Sequence, residues 1–292
     1  MATPAQESGH DPMPVADMPM VGPAQIPCLG FGTVRLHGSE CHDAVTHALD
    51  LGYRSIDTAQ RYGNEADVGA AITASQVPRG DVFLTTKLDF PNYTLDRLEL
   101  ATRESLSRLG TDHVDLLLIH WPNPRVPLEE TLTAMASVRE KGLTRHIGVS
   151  NFTAEQVRTA DETAPIAVNQ IEYHPYLGQE VLLKTHRDLG IATTAYCPLA
   201  RGVVLDDPVL ADIAATHGKS VAQVALRWLV QQEGVGTVVR SSSSRHREAN
   251  ISIFDFTLDA DEMGRIAALA RGLRIIDPEF SPDWDPEQVD DL

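Results

Sequence analysis

Val114-Asp-Leu-Leu-Leu-Ile119 decides the fold. Six residues without alternation leave no face of a strand for water, and strands buried on both faces belong to parallel sheets covered by helices. Similar short apolar or β-branched runs recur along the chain, at Arg54–Thr58, Val82–Lys87, His146–Asn151, Val168–Glu172, Ile191–Tyr196 and Gly236–Arg240, with a first near Cys28–Gly32. Amphipathic stretches separate them, at Cys41–Leu51, Glu65–Ala74, Leu95–Leu109, Leu128–Lys141, Thr153–Asp161, Gln179–Leu189 and Ser220–Gln232. Eight strands alternating with helices predict the α/β class, as a single (β/α)8 TIM barrel with an N-terminal β-hairpin and a C-terminal loop. An open doubly wound sheet competes, but its first turn normally reads GxGxxG. Here Gly30-Phe-Gly32 runs on into Thr33-Val-Arg35, without the third glycine.

Length and charge agree. The 292 residues fit one barrel plus short ends, and 42% apolar composition supports a sizeable core. Residues 1–18 are expected to be a disordered leader, and 19–292 the barrel with an acidic tail. A formal charge of −17 argues against nucleic acid and anionic membrane as partners. It also argues for a monomer. No apolar run reaches the length of a membrane span, the N-terminus lacks a secretory pattern, and three scattered cysteines form neither a disulfide framework nor a metal motif. A cytoplasmic protein without metal is expected.

In such barrels chemistry sits at the carboxyl ends of the strands. The second run ends in Asp57, with Tyr62 in the following loop; the third ends in Lys87 and the fourth in His120. Singly, each has an ordinary structural role: a helix cap, a pocket wall, an ion pair, a core histidine. Together they bring an acid, a phenol, an ammonium and an imidazole to one side of one mouth. An adjacent ammonium favours phenolate and lowers a phenol's pKa, aspartate keeps the ammonium charged, and neutral imidazole can orient a carbonyl oxygen. The set protonates an oxygen but carries no hydride, so a cofactor is implied. Lys87 as a Schiff-base nucleophile of an aldolase, and a non-catalytic nicotinamide-binding sensor, are the competing readings.

Leu29-Gly-Phe-Gly-Thr33, Gly52-Tyr-Arg-Ser-Ile-Asp-Thr-Ala59, Tyr62-Gly-Asn-Glu65, Thr85-Thr-Lys87, Asp115-Leu-Leu-Leu-Ile-His-Trp-Pro122, Ile147-Gly-Val-Ser-Asn-Phe152, Asn169-Gln170 and Ala195-Tyr-Cys-Pro-Leu199 together resemble the aldo-keto reductases over residues about 24–288. Gln60 and Ser281-Pro-Asp-Trp-Asp285 look most like the bacterial 2,5-diketo-D-gluconate and methylglyoxal reductases. The resemblance implies that Asp57, Tyr62, Lys87 and His120 are catalytic, with Tyr62 as the acid, and that a small polar aldehyde or ketone is reduced. It implies NADPH as cofactor, with NADH weaker. Ser150, Asn151 and Gln170 would then hold the nicotinamide carboxamide and Tyr196 would stack on the ring, with Thr33, Cys197 and Leu199 also on the cofactor.

The segment Arg240-Ser-Ser-Ser-Ser-Arg-His-Arg247 carries three arginines in a strongly acidic chain, just after the eighth strand. Such a place often binds phosphate. By resemblance it is the 2′-phosphate segment, with Arg240 at the usual lysine, Ser241 and Ser242 beside it, and Asn250 at the adenine. His246 stands where arginine is usual, which leaves Arg245 or Arg247 to supply the fork. Val34 replaces a common tryptophan, and Cys197 replaces serine. Val34, Phe90, Trp121 and Trp284 are expected to line an open substrate pocket.

Overall fold

The computed structural model describes residues 18–286. The expected leader, apart from Met18, and the end of the acidic tail lie outside the described residues. Two short antiparallel strands, β1 (Met20–Val21) and β2 (Ile26–Pro27), form the N-terminal hairpin. Eight parallel strands then close a barrel: β3 (Leu29–Gly32), β4 (Ser55–Asp57), β5 (Phe83–Leu88), β6 (Val114–Ile119), β7 (Thr144–Ser150), β8 (Val168–Glu172), β9 (Ala192–Tyr196) and β10 (Val235–Val239). β10 pairs with both β9 and β3, so the sheet has no edge. All six residues of β6 are buried, as its unbroken apolar run requires.

Helices cover the outside. In α3 (Leu95–Leu109) the buried positions are Leu98, Ala101, Thr102, Ser105, Leu106 and Leu109, one stripe at three- and four-residue spacing. Gly110, in the left-handed region, ends it. The α5 helix (Ala154–Thr163) starts at a capping box in which Thr153 and Gln156 satisfy each other's backbone amides. The other helices are α1 (Gly38–Asp50), α2 (Glu65–Ala74), α4 (Leu128–Glu140), α6 (Glu180–Leu189), α7 (Pro208–His217), α8 (Val221–Val230), α9 (Ser244–Ile251) and α10 (Ala260–Ala267). None of α7, α9 and α10 was among the expected helical stretches. No helix among the described residues is long and apolar enough to cross a membrane.

Gly69 in α2 marks a close approach. A Cβ there would overlap the carbonyl oxygen of Leu109, at the end of α3. Gly69→Ala is therefore expected to force the two helices apart and to lower stability by about 1–3 kcal/mol. A urea melt reads this; an unchanged midpoint would mean that the helices shift freely.

Ile26 and Pro27 of the hairpin close the barrel floor. With Ser55, Asp57, Thr85, Leu116 and Gln170 they line a cavity of about 10 Å³. A void of that size holds one water at most. At the opposite end the strands finish in polar residues, Asp57, Ser150 and Tyr196 among them.

Candidate active site

Register brings the polar strand ends level. Gly32 pairs with Asp57, Asp57 with Thr85 and Lys87 with Leu118, while Ser150 pairs with Gln170 and Glu172 with Tyr196. Lys87 is fully buried. Its Nζ donates to Asp57 Oδ1 at 2.5 Å and to the Thr58 carbonyl at 2.9 Å. The Tyr62 side chain is its third hydrogen-bonding partner, and the ring centroid of Tyr62 lies 5.1 Å from the ammonium. The imidazole of His120 meets the same ring edge-on, with centroids 5.7 Å apart. Asp57, Tyr62, Lys87 and His120 therefore come together as expected.

Supporting bonds hold each member. Tyr62 ends a 3₁₀ turn, Gln60–Tyr62. Gln60 ties this turn to α3 through the Ala101 carbonyl (3.1 Å) and Ser105 Oγ (2.9 Å), and its Oε1 accepts from the Asp89 amide. Behind Lys87, buried Glu65 accepts from Thr86 Oγ1 at 2.6 Å and pairs with Arg108. Thr33 Oγ1 and its amide both bond the Asp57 carbonyl, which fixes the first loop against β4.

Burial and charge set the protonation states. Burial pushes the Lys87 ammonium towards neutrality, but Asp57 and Tyr62 outweigh it and its pKa is raised. Burial is also the largest influence on Tyr62 and pushes the phenol up, with Lys87 opposing. The net direction is thus the reverse of the depression expected from the sequence, because loss of hydration outweighs the neighbouring charge. Burial, then Lys87 and Arg61, hold His120 well below the ordinary histidine value, so the imidazole is neutral at pH 7. Its Nδ1 is buried without a hydrogen-bond partner among the described residues.

On the far side of the mouth, Asn151 takes a left-handed backbone (φ +64°) that asparagine tolerates. Its amide donates to the His120 carbonyl (2.9 Å) and to Ser150 Oγ (3.0 Å), and its oxygen accepts from the Tyr196 hydroxyl (2.7 Å). Ser150 Oγ donates to the Gln170 carbonyl, and Gln170 Nε2 donates to Asp57 Oδ2 at 2.8 Å. One chain of bonds therefore joins the Asp57–Lys87 pair to the Ser150, Asn151, Gln170 and Tyr196 group. Cys197, also left-handed at φ +55°, begins a tight turn in which its carbonyl accepts from the Ala200 amide, next to Leu199.

The mouth has an aromatic rim. Phe280 meets Phe90 at 5.0 Å and Trp121 at 5.3 Å, both near-perpendicular, while Trp121 meets Trp284 edge-on at 6.1 Å. Val34 is exposed. The C-terminal segment that carries Phe280 and Trp284 is fastened at both ends. Buried Glu172 accepts from the amides of Ile275 and Ile276, both at 2.7 Å, and Asp285 accepts from the Ala154 amide at 2.8 Å. Arg61, which the sequence reading did not single out, pairs with Asp89 at 2.8 Å. Its guanidinium also lies over Phe90 (5.3 Å) and Phe280 (5.1 Å). Its place directly before Tyr62 was the available signal.

Beyond β10, Arg240, Ser242, Arg245 and His246 are exposed, and Ser241, Arg247 and Asn250 are buried. Neither Arg240 nor Arg245 has a carboxylate within 4.0 Å among the described residues. Arg247 points inward, so it does not supply an outward fork. Ser243 caps α9 by accepting from the His246 amide.

Residues 28–271 match the model of the aldo/keto reductase family. The chain is 43% identical to the methylglyoxal reductase DkgB of Escherichia coli O157:H7, over 89% of this chain and 99% of that one. It is 45% identical to the aldo-keto reductase MT3049 of Mycobacterium tuberculosis (strain CDC 1551 / Oshkosh), covering 86% and 89%. Among solved structures it superposes on one provisionally assigned as a 2,5-diketo-D-gluconic acid reductase B, with TM-score 0.91, 48% identity, and 93% and 99% coverage. A Bombyx mori aldo-keto reductase in complex with NADP gives TM-score 0.83 at 34% identity, covering 92% and 97%.

Proposed function

From the premise that this chain belongs to the aldo/keto reductase family, and so is an oxidoreductase, we propose that it reduces small, polar, oxygen-rich aldehydes and ketones to alcohols with NADPH. Dicarbonyls of the methylglyoxal and diketogluconate kind are the expected substrates, in keeping with the names of its relatives. The observation that carries this reading is the meeting of Tyr62, the Asp57–Lys87 pair and neutral His120 at the carboxyl ends of neighbouring strands.

The residues present fit a nicotinamide dinucleotide. Gln170 Oε1 accepts no hydrogen bond among the described residues, and the Asn250 side chain, 5% exposed, makes none. Arg240 and Arg245 present cations without an ion-pair partner among the described residues, in an acidic chain. Ser150, Asn151 and Gln170 would hold the carboxamide, Tyr196 the ring face, Thr33, Cys197 and Leu199 the neighbouring length, and Arg240, Ser241, Ser242 and Arg245 the 2′-phosphate. When bound, the cofactor supplies the hydride.

The protein's own part is to orient the carbonyl and to deliver a proton. With Nδ1 of His120 buried and unpartnered, the proton sits at lower free energy on Nε2, because an orphaned N–H is the costlier state. Nε2–H can then donate to the substrate oxygen. Tyr62 keeps its proton at rest, since burial raises its pKa, and gives it up as negative charge develops on that oxygen. Lys87 makes the phenolate less costly than burial alone would. Raised Lys87 basicity opposes the Schiff-base reading, which needs a neutral amine.

The direct test is NADPH oxidation with methylglyoxal, diacetyl, glyceraldehyde and diketogluconate. No oxidation with any of them would favour a binding module without turnover. For the cofactor, Arg240→Ala and Arg245→Ala are each expected to lose about 1.5–3 kcal/mol, roughly 10–100-fold, in NADPH affinity. NADH affinity should hardly change. Equal losses for both cofactors, measured by fluorescence quenching, would mean that these arginines shape the loop and do not read the phosphate.

A further inference from the structure

Two cations other than histidine are buried among the described residues, Lys87 and Arg247, the latter 6% exposed. Lys87 has the Asp57 carboxylate. Arg247 has no such direct partner: no Asp or Glu oxygen of the described residues stands within 4.0 Å of its guanidinium. Its donors are nevertheless engaged. Nη1 donates to the carbonyls of Ser241 and Ser242, each at 3.0 Å, and Nε donates to His47 Nδ1 at 3.1 Å. The Arg247 carbonyl accepts from the buried Tyr53 hydroxyl. The other ring nitrogen of His47, Nε2, lies 3.7 Å from Glu248 Oε1. A charge buried among carbonyls and an imidazole, with no carboxylate in contact and only the more distant Glu248 to oppose it, is destabilising in isolation. Burial accordingly lowers the Arg247 pKa from its ordinary value.

The carbonyls held by Arg247 belong to the turn whose outer face shows Arg240, Ser242, Arg245 and His246. Drawing those oxygens inward removes two acceptors that would repel an anion. The same turn is braced from within, since Ser241 Oγ accepts from the Ser243 amide and donates to the Ser243 carbonyl. We propose that Arg247 is the positioning residue of the 2′-phosphate subsite: it holds the Ser241 and Ser242 carbonyls away from the anion and places beneath the turn a positive charge that the phosphate balances. Arg247 itself does not touch the ligand. This inference rests on the reading of the turn as that subsite.

Calorimetric titration of the full chain with adenosine 2′,5′-bisphosphate and adenosine 5′-monophosphate tests it, because the two nucleotides differ only in the 2′-phosphate. Arg247→Gln is expected to weaken the bisphosphate about tenfold or more and to leave the monophosphate within about twofold. A role in folding alone would weaken both together, and that result overturns the proposal, as does a folded Arg247→Gln that binds both normally. Arg247→Lys keeps the charge and one donor to the carbonyls, and covers the case in which Arg247→Gln does not fold. It is expected to retain most of the preference for the bisphosphate; a folded Arg247→Lys with no preference overturns the role given to charge. Failure of the subsite reading looks different. In that case the unsubstituted protein binds both nucleotides equally, and Arg240→Ala alters neither.

Discussion

Tyr62→Phe is expected to slow carbonyl reduction about 10²–10⁴-fold, the range over which a positioned general acid acts. Binding of NADPH should survive. The substitution removes one oxygen and leaves the ring that packs edge-on against His120 and lies 5.1 Å from the Lys87 ammonium. Lys87 stays with Asp57 and the Thr58 carbonyl, so the site is not expected to collapse. Single-turnover rates with a dicarbonyl, beside the NADPH dissociation constant, separate chemistry from binding. Retention of more than about a third of the rate would assign the acid elsewhere, with His120 next in line.

Lys87→Met carries the second large effect, in two measurements with different causes. Buried Asp57 loses its cation and keeps only the Gln170 amide, and an uncompensated buried charge destabilises by about 3–5 kcal/mol. Adding Asp57→Asn should recover much of that stability without restoring turnover. The pH profile reports on Tyr62. Lys87 lowers the phenol's pKa against burial, so its removal lets that pKa rise further. Reduction needs the protonated phenol and fails as pH rises through its pKa, so the alkaline limb moves to higher pH while the plateau falls. Alcohol oxidation, which needs phenolate, should start at higher pH. An alkaline limb that stays in place would mean that Lys87 acts only by holding Asp57.

Much of this was legible in the sequence, because burial on both faces leaves a plain mark. The bounds of Val168–Glu172, Glu65–Ala74 and Leu95–Leu109 agree with the structure, since caps and composition change sharply there. Helix α7 was missed although Asp207 and Pro208 open it and Gly218 closes it. Its Ala-rich body shows only a short stripe, Leu210, Ile213 and Ala214, and it is an extra helix between β9 and α8, outside the one-strand, one-helix rhythm. Helix α10 has a capping box at Asp259 and Glu262 but follows the last strand, where the alternation gave no reason to expect one. Strand ends were legible as chemistry because alternation places them. The direction of the Tyr62 pKa was not, because it depends on how closely the mouth wraps the phenol. Nor was the inward turn of Arg247, since three arginines in eight residues look alike until one finds two carbonyls and an imidazole.

The fastening of the C-terminal segment also bears on protein engineering. Phe280 and Trp284 reach the mouth on a strip anchored by Glu172 at one end and by the first turn of α5 at the other. Neither anchor is shared with Asp57, Tyr62, Lys87 or His120. The strip is therefore a natural cassette: a segment of the same length that keeps the acceptor at 285 and the two amides at 275 and 276 can be exchanged as a unit. Screening such cassettes on one unchanged barrel would alter which carbonyl compounds enter without rebuilding the groups that act on them.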